Sequence, residues 1–379
     1  MDNKKDLSVS RYMYETLASG ADNQLPISST CNGRCIFCSN KMNPFPIYTE
    51  GFRPIEDVKK GLTLLTGTSE IRMGDSLPGR ISEGEALLHP QILDILKLVR
   101  ERFPATLIQI STNGVALTED MAEKLVPFKP LKFTVSYHSD KPENWCRIFS
   151  LGEEKFKAAR ASFFHLVKRG FAVEAALVPL PAFVGYEDIE NTIKVLRMFT
   201  NKIIIYPPGY SKLVTEDLRK IMEVDFEELS RFISAMRKKH KVALDLMTDV
   251  LSPLDFYPEA VMKESFFAGH KNVLWLFSEG SFGRASKVLE SFNAFVPNEH
   301  HPFMAKNGTY GGNIICSGLL MVSDYRSALE EALREFSTKG IKIDLAILPR
   351  VSFDKYGEDL KGENFSTLSP DFPLAVWIR

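Results

Sequence analysis

The sequence has 379 residues, of which 44% are hydrophobic and 25% are charged, and its formal net charge is −1. This composition is typical of a soluble globular protein, and the length allows one large domain with an appendage or two domains. The near-zero charge gives no indication of a nucleic-acid groove or a polybasic membrane-binding face, so we expect neither partner. The polar N terminus and the lack of a long apolar run predict no signal peptide and no membrane span. We therefore expect a cytoplasmic protein.

Three of the five cysteines lie close together, just after a short apolar segment that is predicted to be a strand. Cys31, Cys35 and Cys38 have a spacing at which one loop can bring three thiolates around a soft metal centre. A structural zinc site normally has four protein ligands, and no other Cys or His lies within fifty residues. An iron–sulfur cluster with three thiolate ligands fits better, and three unconnected thiols are the alternative.

The same spacing, with Phe37 immediately before the last cysteine, resembles the signature of the radical S-adenosylmethionine (SAM) enzymes. The resemblance implies that the three cysteines hold a [4Fe–4S] cluster, that SAM binds the fourth iron, and that Phe37 lies beside the cofactor. The other two cysteines, Cys146 and Cys316, are too few for a second cluster, which usually needs three or four thiolates. We therefore expect one [4Fe–4S] cluster and SAM as the cofactors.

Strand-like and helix-like segments alternate from residue 25 to about residue 206, which predicts parallel strands joined by helical crossovers. The predicted strands are 25–29, 69–73, 107–111, 131–137, 172–178 and 202–206. The predicted helices are 54–65, 90–103, 118–126, 153–169 and 186–199. This pattern leaves open a partial barrel or an open doubly wound sheet, and in both the ligands gather beyond the carboxyl ends of the strands. The resemblance implies the former, an α/β fold with a partial (β/α)₆ TIM-like barrel.

The segment after the second predicted strand contains Glu83, Gly84 and Glu85. It resembles the family's Gly-Gly-Glu-Pro-like run, with Glu83 in place of the first glycine. The resemblance implies that Gly84 and Glu85 receive the amino group of SAM, because a carboxylate is a suitable partner for an ammonium group. The alternative is an acidic helix N-terminus, where the helix dipole alone would favour both carboxylates.

Other site residues are expected near the ends of the later strands. The resemblance alone implies SAM contacts for Asn113 after the third strand, Ser136 at the end of the fourth, and Glu174 on the fifth. His138 is a candidate catalytic group that transfers a proton near the substrate, with a structural role as the alternative. Cys146 is a candidate hydrogen-atom donor to a substrate radical, with a packed, half-buried thiol as the alternative.

The pattern changes after about residue 215. We expect four parts: an N-terminal arm (1–22), a radical SAM core barrel (23–215), a helical or linking extension (216–270) and a C-terminal α/β domain (271–379). The last part faintly resembles a domain of unknown function found in uncharacterised radical SAM iron–sulfur proteins. Its predicted elements are strands at 272–277, 314–322 and 341–348, a polar loop from 298 to 312, and a helix capped by Ser323 and Asp324. We expect this part to cover the open side of the barrel.

The resemblance implies a radical SAM enzyme. An external donor of the ferredoxin or flavodoxin type supplies one electron, SAM is cleaved, and the 5′-deoxyadenosyl radical abstracts hydrogen from the substrate. The expected substrate is a small metabolite or a cofactor precursor. One alternative is the modification of a peptide or protein, such as epimerisation. A second alternative is a non-enzymatic iron–sulfur or zinc protein that uses the barrel as a binding module.

Overall fold

The computed structural model describes residues 23–45, 51–68, 70–74, 83–247, 255, 267, 269–293, 298–368 and 373–377. The predicted N-terminal arm lies outside these ranges. Within them, none of the helices combines the length and the apolar character that crossing a membrane requires.

The first of two parallel sheets has six strands that lie side by side in chain order. These strands are β1 (Ile71–Met73), β2 (Ile108–Thr112), β3 (Leu131–Ser136), β4 (Ala172–Leu177), β5 (Lys202–Ile205) and β6 (Ala243–Leu246). Its helices are α1 (Ile55–Leu62), α2 (Ile92–Arg102), α3 (Glu119–Leu125), α4 (Pro142–Phe149), α5 (Glu153–Lys168), α6 (Pro181–Leu196), α7 (Glu216–Met222) and α8 (Phe226–His240). The parallel strands with helical crossovers confirm the predicted α/β, partial TIM-like fold. In the described residues β1 and β6 are not paired, so the sheet is open.

The segment predicted as the first strand does not form a regular strand. Among the described residues its strand pairing is limited to isolated bridges, between Gln24 and Arg72 and between Ser28 and Phe52. Proline at position 26 has no N–H group to continue a ladder, which gives a physical reason for the interruption. The sixth strand is instead β6, so the sheet continues past residue 215. The four-part division of the chain stays a prediction.

Capping residues and a glycine define several helix boundaries. The Thr118 side chain accepts a hydrogen bond from the N–H of Met121 at the start of α3, and Asp225 caps α8 in the same way. In α6 the helical geometry is broken at Gly185, whose φ of +77° lies in the region that glycine tolerates best. The regular part of α6 therefore begins close to residue 186, as the sequence predicts.

Alternate side chains along the strands of the first sheet have different surroundings. On β3, Phe133 and Val135 are fully buried in the apolar core, where the helices pack. Thr134 and Ser136, which lie between and after them, line a cavity on the other face of the strand. The inner face of this sheet is therefore polar near the carboxyl ends of its strands.

Nearer the amino ends of the strands, five charged side chains form a chain of ion pairs that we call the ionic layer. Lys132 lies 2.6 Å from Glu70 and 3.7 Å from Glu174. Lys202 continues the chain, at 3.4 Å from Glu174 and 3.6 Å from Asp245. Negative and positive charges therefore alternate from Glu70, which precedes β1, across β3, β4, β5 and β6. Each of these side chains has a partner of opposite charge.

The second sheet has four parallel strands in the order β10–β9–β7–β8. These strands are β7 (Asn272–Ser278), β8 (Glu299–Ala305), β9 (Leu345–Pro349) and β10 (Leu374–Trp377). The accompanying helices are α9 (Glu279–Phe282), α10 (Ala285–Asn293) and α11 (Val322–Thr338). All seven residues of β7 are buried, because helices cover both faces of this sheet. Leu274 and Leu276 pack in the core on the α11 side, and Trp275 and Phe277 pack in the core on the α10 side.

Two predictions for this region are wrong. The segment from 298 to 312, predicted to be a loop, contains β8, which pairs with β7 along its whole length. The segment from 314 to 322, predicted to be a strand, instead forms a short 3₁₀ turn over Ser317–Leu319 and leads directly into α11. The predicted capping is confirmed in part: Met321 is the N-cap, Ser323 and Asp324 lie inside the first turn, and the Asp324 carboxylate accepts a hydrogen bond from the N–H of Met321 at 2.9 Å.

Candidate active site

A single cavity of about 270 Å³ brings together most of the residues that the sequence singled out. Its volume is close to the lower end of the range of small-molecule sites, roughly 300–1,000 Å³. Nine of the eleven predicted site residues line it, namely Cys31, Cys35, Phe37, Cys38, Gly84, Glu85, Asn113, Ser136 and His138. The structure therefore gathers these residues in space, and their individual roles stay predictions.

The loop that carries the cysteines is fixed to the C-terminal end of α4. The N–H groups of Arg34 and Ile36 donate hydrogen bonds to the carbonyls of Phe149 and Ile148, both at 2.9 Å. Within the loop, the N–H of Gly33 donates to the Cys31 thiol sulfur at 3.4 Å. These contacts hold the backbone between the thiols, so the loop is an ordered part of the cavity wall.

The three thiols influence one another electrostatically. The pKa of Cys35 is raised to about 12, mainly by burial and to a smaller extent by the neighbouring Cys38 and Cys31. Burial is also the largest cause of the raised pKa of Cys31 and Cys38. A metal centre binds thiolates, so its binding would have to displace these protons. The three thiols line the same cavity and form its set of soft donors.

In the described part of the chain, no three His, Cys, Asp or Glu side chains are arranged to hold a single metal ion. A four-iron cluster has a different requirement, because each cysteine binds a different iron and the ligands therefore lie further apart than around one ion. Three soft thiols lining one cavity fit such a cluster in number and in ligand chemistry.

Gly84 lies where two backbone segments touch. Its N–H donates to the carbonyl of Ser28 at 2.8 Å, and the N–H of Glu85 donates to the carbonyl of Thr30 at 2.8 Å. A Cβ atom at position 84 would lie 2.2 Å from the Thr30 carbonyl oxygen. Only glycine fits this close backbone contact, so packing alone explains why position 84 is a glycine. Gly84 also lines the cavity.

Glu85 and Asn113 connect the cysteine loop to the strand ends. The Glu85 carboxylate, which is 3% exposed, accepts a hydrogen bond from the N–H of Asn113 at 2.7 Å. The Asn113 side chain donates to the side-chain oxygen of Asn32 at 2.6 Å, within the cysteine loop. Burial raises the pKa of Glu85, while the hydrogen bonds from Asn113 and from neighbouring groups oppose the increase. A carboxylate has about four acceptor positions, so capacity remains for a cationic ligand.

His138 is a neutral, fixed side chain. It is 3% exposed, and burial lowers its pKa to about 3. The N–H of Val178 donates to its Nδ1 at 3.0 Å, so the single proton of the neutral ring is on Nε2. The ring stacks on Phe149 with centroids 4.9 Å apart and meets Phe37 edge-on at 4.8 Å. His138 can therefore donate a hydrogen bond from Nε2, but burial disfavours the imidazolium that the predicted proton transfer would use.

Two predicted residues do not line the cavity. Glu174 belongs to the ionic layer, where its carboxylate faces Lys132 and Lys202, so its predicted SAM contact has no geometric support. Cys146 lies on α4, where burial and then the carboxylates of Glu153 and Glu143 raise its pKa. These surroundings match the packed, half-buried thiol that the sequence allowed as the alternative.

The C-terminal region supplies one wall of the cavity, and sequence reasoning missed its residues. Tyr310, Asn313, Ile314 and Leu319 line the cavity together with the cysteines. They are contributed by the segment between β8 and α11, which the sequence divided between a loop and a strand. The one local signal in the sequence was the pair Gly311–Gly312, because adjacent glycines are typical of a turn. In the structure both residues have positive φ.

This wall is attached to the segment that follows β5. The Asn313 side chain accepts from the N–H of Tyr210 at 2.7 Å and donates to the carbonyl of Pro208 at 3.0 Å. The N–H of Lys212 donates to the carbonyl of Tyr310 at 2.7 Å. At Gly312 a Cβ atom would lie 2.1 Å from the Tyr210 carbonyl oxygen, so the two backbones are in direct contact.

Two buried hydroxyl groups among the lining residues have no hydrogen-bond partner in the described structure. They belong to Thr134 on β3, which is 4% exposed, and to Tyr310 in the C-terminal wall, which is 2% exposed. Leaving a buried hydroxyl unpaired costs free energy, so such groups call for an explanation. Their position on the same cavity suits hydrogen bonding to a bound molecule.

Comparisons with known proteins concern mainly the part of the first sheet that contains β1 to β4. Residues 25–196 match the model of the Radical SAM superfamily. This segment is a radical SAM domain. The match confirms the family predicted from the cysteine spacing, a family of enzymes that use a [4Fe–4S] cluster and SAM. The prediction of these two cofactors agrees with that family. A curated relative, GTP 3′,8-cyclase from Cronobacter sakazakii (strain ATCC BAA-894), is 26% identical over 103 residues.

The matched regions are partial. The cyclase match covers 26% of this chain and 29% of the relative. The crystal structure of Streptococcus suis SuiB bound to S-adenosylmethionine is 13% identical, covers 75% of this chain and 58% of SuiB, and has a TM-score of 0.44. The structure of TYW1 with a lysine-pyruvate adduct bound is 13% identical, covers 61% of this chain and 80% of TYW1, and has a TM-score of 0.40. The chain thus spans less than a third of the curated relative and less than two thirds of SuiB.

Proposed function

We propose that this protein is a radical SAM enzyme that acts on a small metabolite or cofactor precursor. The observation that carries the proposal is the convergence of Cys31, Cys35 and Cys38 on one cavity with Glu85 and Asn113, within a radical SAM domain. When bound, the cluster and SAM supply a reductively formed 5′-deoxyadenosyl radical that abstracts hydrogen from an unreactive C–H bond. A ferredoxin- or flavodoxin-type protein is the proposed electron donor.

The chain's own residues bind and orient in this proposal. The three cysteine thiolates would hold the cluster, and the acceptor position that remains on the Glu85 carboxylate would receive the amino group of SAM. Asn113 fixes Glu85 through its N–H and fixes the cysteine loop through its side chain. Ser136 lines the same cavity and is the proposed partner for the ribose of SAM. His138 keeps its neutral form and presents an Nε2–H donor.

We further propose that the substrate occupies the side of the cavity next to the C-terminal wall. The hydroxyl groups of Tyr310 and Thr134 have no hydrogen-bond partner among the described residues, which suits a substrate with hydrogen-bond acceptors. Ile314 and Leu319 add apolar surface, so the substrate would be partly apolar. A wall formed by the chain itself narrows the cavity, which favours a small molecule over a folded protein as the substrate.

Anaerobic reconstitution with iron and sulfide tests the proposal directly. The protein is then reduced with dithionite in the presence of SAM, and 5′-deoxyadenosine is quantified by chromatography. Wild type should bind about four irons and release 5′-deoxyadenosine. Cys35→Ala should lose both, because one of three thiolate ligands is missing. Cys316→Ala is the matched control, since this buried cysteine does not line the cavity and should retain both.

The same experiment separates the alternatives. Cluster binding without any cleavage of SAM, even with added metabolite extracts, would favour a non-enzymatic iron–sulfur protein. Zinc in place of iron would contradict the proposal. Cleavage that is stimulated by peptides and not by small molecules would favour peptide modification. Cys146→Ala tests the hydrogen-donor prediction through the incorporation of solvent deuterium into the product, which the surroundings of Cys146 on α4 lead us to expect to be unchanged.

A further inference from the structure

A lysine side chain is hydrogen-bonded to the backbone of the cysteine loop. Directly after Cys38 the chain forms a 3₁₀ turn, Ser39–Lys41, in which the N–H of Lys41 donates to the carbonyl of Cys38 at 3.1 Å. The turn directs the Lys41 side chain back over the loop. Its ammonium group donates to the carbonyl of Cys35 at 2.9 Å and to the carbonyl of Arg34. A positive charge is thereby fixed next to the segment between two of the predicted cluster ligands.

The turn that carries Lys41 is anchored independently of any ligand. The carbonyl of Cys35 accepts a second hydrogen bond, from the N–H of Cys38 at 3.2 Å. Just after the turn, the buried residue Met42 accepts a hydrogen bond on its carbonyl from the Ser211 hydroxyl. The ammonium position is therefore set by the fold, and cluster binding does not need to order it.

The fixed positive charge lies next to two of the predicted cluster ligands. The Lys41 ammonium is hydrogen-bonded to the carbonyl of Cys35, and the turn that carries it begins directly after Cys38. The buried Glu85 carboxylate lines the same cavity as the three cysteines. The charge of Lys41 is therefore held at the Cys35–Cys38 end of the cysteine loop.

We propose that Lys41 raises the reduction potential of the cluster held by Cys31, Cys35 and Cys38. Reduction adds one negative charge to the cluster, and a nearby fixed positive charge stabilises the reduced form by Coulomb attraction. Net charge and hydrogen bonding around the ligands are general determinants of iron–sulfur potentials. The inference rests on the proposed function, because it requires the cluster to be present. Lys41 acts as a positioning charge and has no contact with substrate in this proposal.

The expected effect is moderate because the lysine is exposed to solvent. At low ionic strength we expect Lys41→Met to lower the equilibrium constant for one-electron reduction by up to about tenfold, equivalent to ~59 mV. Salt screens charges that are exposed, so the difference between wild type and variant should shrink as ionic strength rises. Lys41→Arg keeps the charge and should retain a potential close to that of wild type.

A redox titration monitored by electron paramagnetic resonance measures these potentials on the full reconstituted chain. Iron and sulfide contents are determined first for wild type, Lys41→Met, Lys41→Gln and Lys41→Arg. Lys157→Met is the matched control, because Lys157 is an exposed lysine whose ion-pair partners are Glu153 and Glu154 on its own helix. It removes the same charge away from the cysteine loop and should leave the potential unchanged.

The outcomes separate this inference from the function on which it rests. A lower potential in both Lys41→Met and Lys41→Gln, with full iron content and with reversal by Lys41→Arg, is the expected result. Full iron content with an unchanged potential in Lys41→Met would overturn the inference and leave the proposed function intact. Loss of iron in Lys41→Met and Lys41→Gln alike would show a structural role for the lysine and would also overturn it. Absence of iron from wild type would overturn both.

Discussion

The two parallel sheets bury their strands in different ways. In the second sheet, every residue of β7 is buried and apolar cores lie on both faces. In the first sheet, the outer face is apolar but the inner face carries the cavity and, beneath it, the ionic layer. The candidate site therefore lies on one face of the first sheet, while the second sheet supports the segment that forms a wall of the cavity.

The largest expected effect is a loss of stability caused by a substitution in the core of the second sheet. Trp275 is fully buried on β7, and its indole N–H donates to His300 at 2.9 Å. Trp275→Ala should lower the free energy of unfolding by about 3–5 kcal/mol, through lost burial and the cavity left behind. Guanidinium denaturation measures the loss. Below the unfolding transition, iron content after reconstitution should match wild type, and a loss of iron from the folded variant would contradict the division of roles.

A smaller effect is expected where backbone segments meet beside the cysteines. Gly84→Ala places a Cβ atom 2.2 Å from the Thr30 carbonyl, so the loop must shift. We expect a loss of about 1–3 kcal/mol in the free energy of unfolding together with reduced iron retention. Gly283→Ala is the control, since its backbone is helical and no atom lies within 4 Å of the added carbon. An unchanged iron content in Gly84→Ala would show that the cysteine loop tolerates the shift.

The buried His138 predicts a pH dependence of stability. Burial lowers its pKa to about 3, below the value of about 6.5 that histidine has when unfolded, so the folded state binds fewer protons. The stabilisation is present above pH 6.5 and is lost as the pH falls from there toward 3. We expect this residue to contribute a loss of about 2 kcal/mol between pH 7 and pH 5. Denaturation of His138→Gln at both pH values should show a smaller loss, and an equal loss would contradict the assignment.

The smallest effect compares two buried tyrosines of the C-terminal region. In the part of the chain that the structure describes, the Tyr310 hydroxyl has no hydrogen-bond partner, whereas the Tyr325 hydroxyl lies 2.6 Å from the hydroxyl of Ser352. Tyr325→Phe should therefore cost about 1 kcal/mol, and Tyr310→Phe should be neutral or slightly stabilising in the ligand-free protein. Thermal unfolding of both variants measures this difference in stability. Destabilisation of equal size in both would show that Tyr310 is structural and would remove one support for the proposed substrate side.

Local patterns predicted the part of the molecule in which neighbours in sequence are neighbours in space. The spacing of Cys31, Cys35 and Cys38 and the alternating βα segments placed the cavity at the correct end of the sheet. The position of Glu174 below the cavity could not be predicted from the sequence. A strand pattern does not distinguish an inward side chain that lines a cavity from one that pairs with a charged neighbour. The interruption of the first strand at Pro26 and the formation of β6 were also not predicted, because both depend on pairing with residues that lie tens of positions away in the sequence.

The C-terminal wall was beyond local reasoning for the same reason. Tyr310 and Asn313 meet the segment after β5 across about a hundred residues of chain, as in the Tyr210–Asn313 hydrogen bond. The apolar run from 314 to 322 has strand-like composition, but burial against the cavity and the start of α11 at Val322 left it no strand partner in the described residues. Long-range contacts of this kind override intrinsic preference.

The hydroxyl of Ser211 connects the two halves of the site. It donates to the carbonyl of Met42, just after the cysteine loop, and the next residue, Lys212, is bonded to Tyr310 in the C-terminal wall. Order in the cysteine loop and attachment of the wall therefore depend on the same short segment. A coupling through this segment would be reciprocal, so a ligand that binds the loop would favour attachment of the wall to the same extent that attachment of the wall favours binding of that ligand.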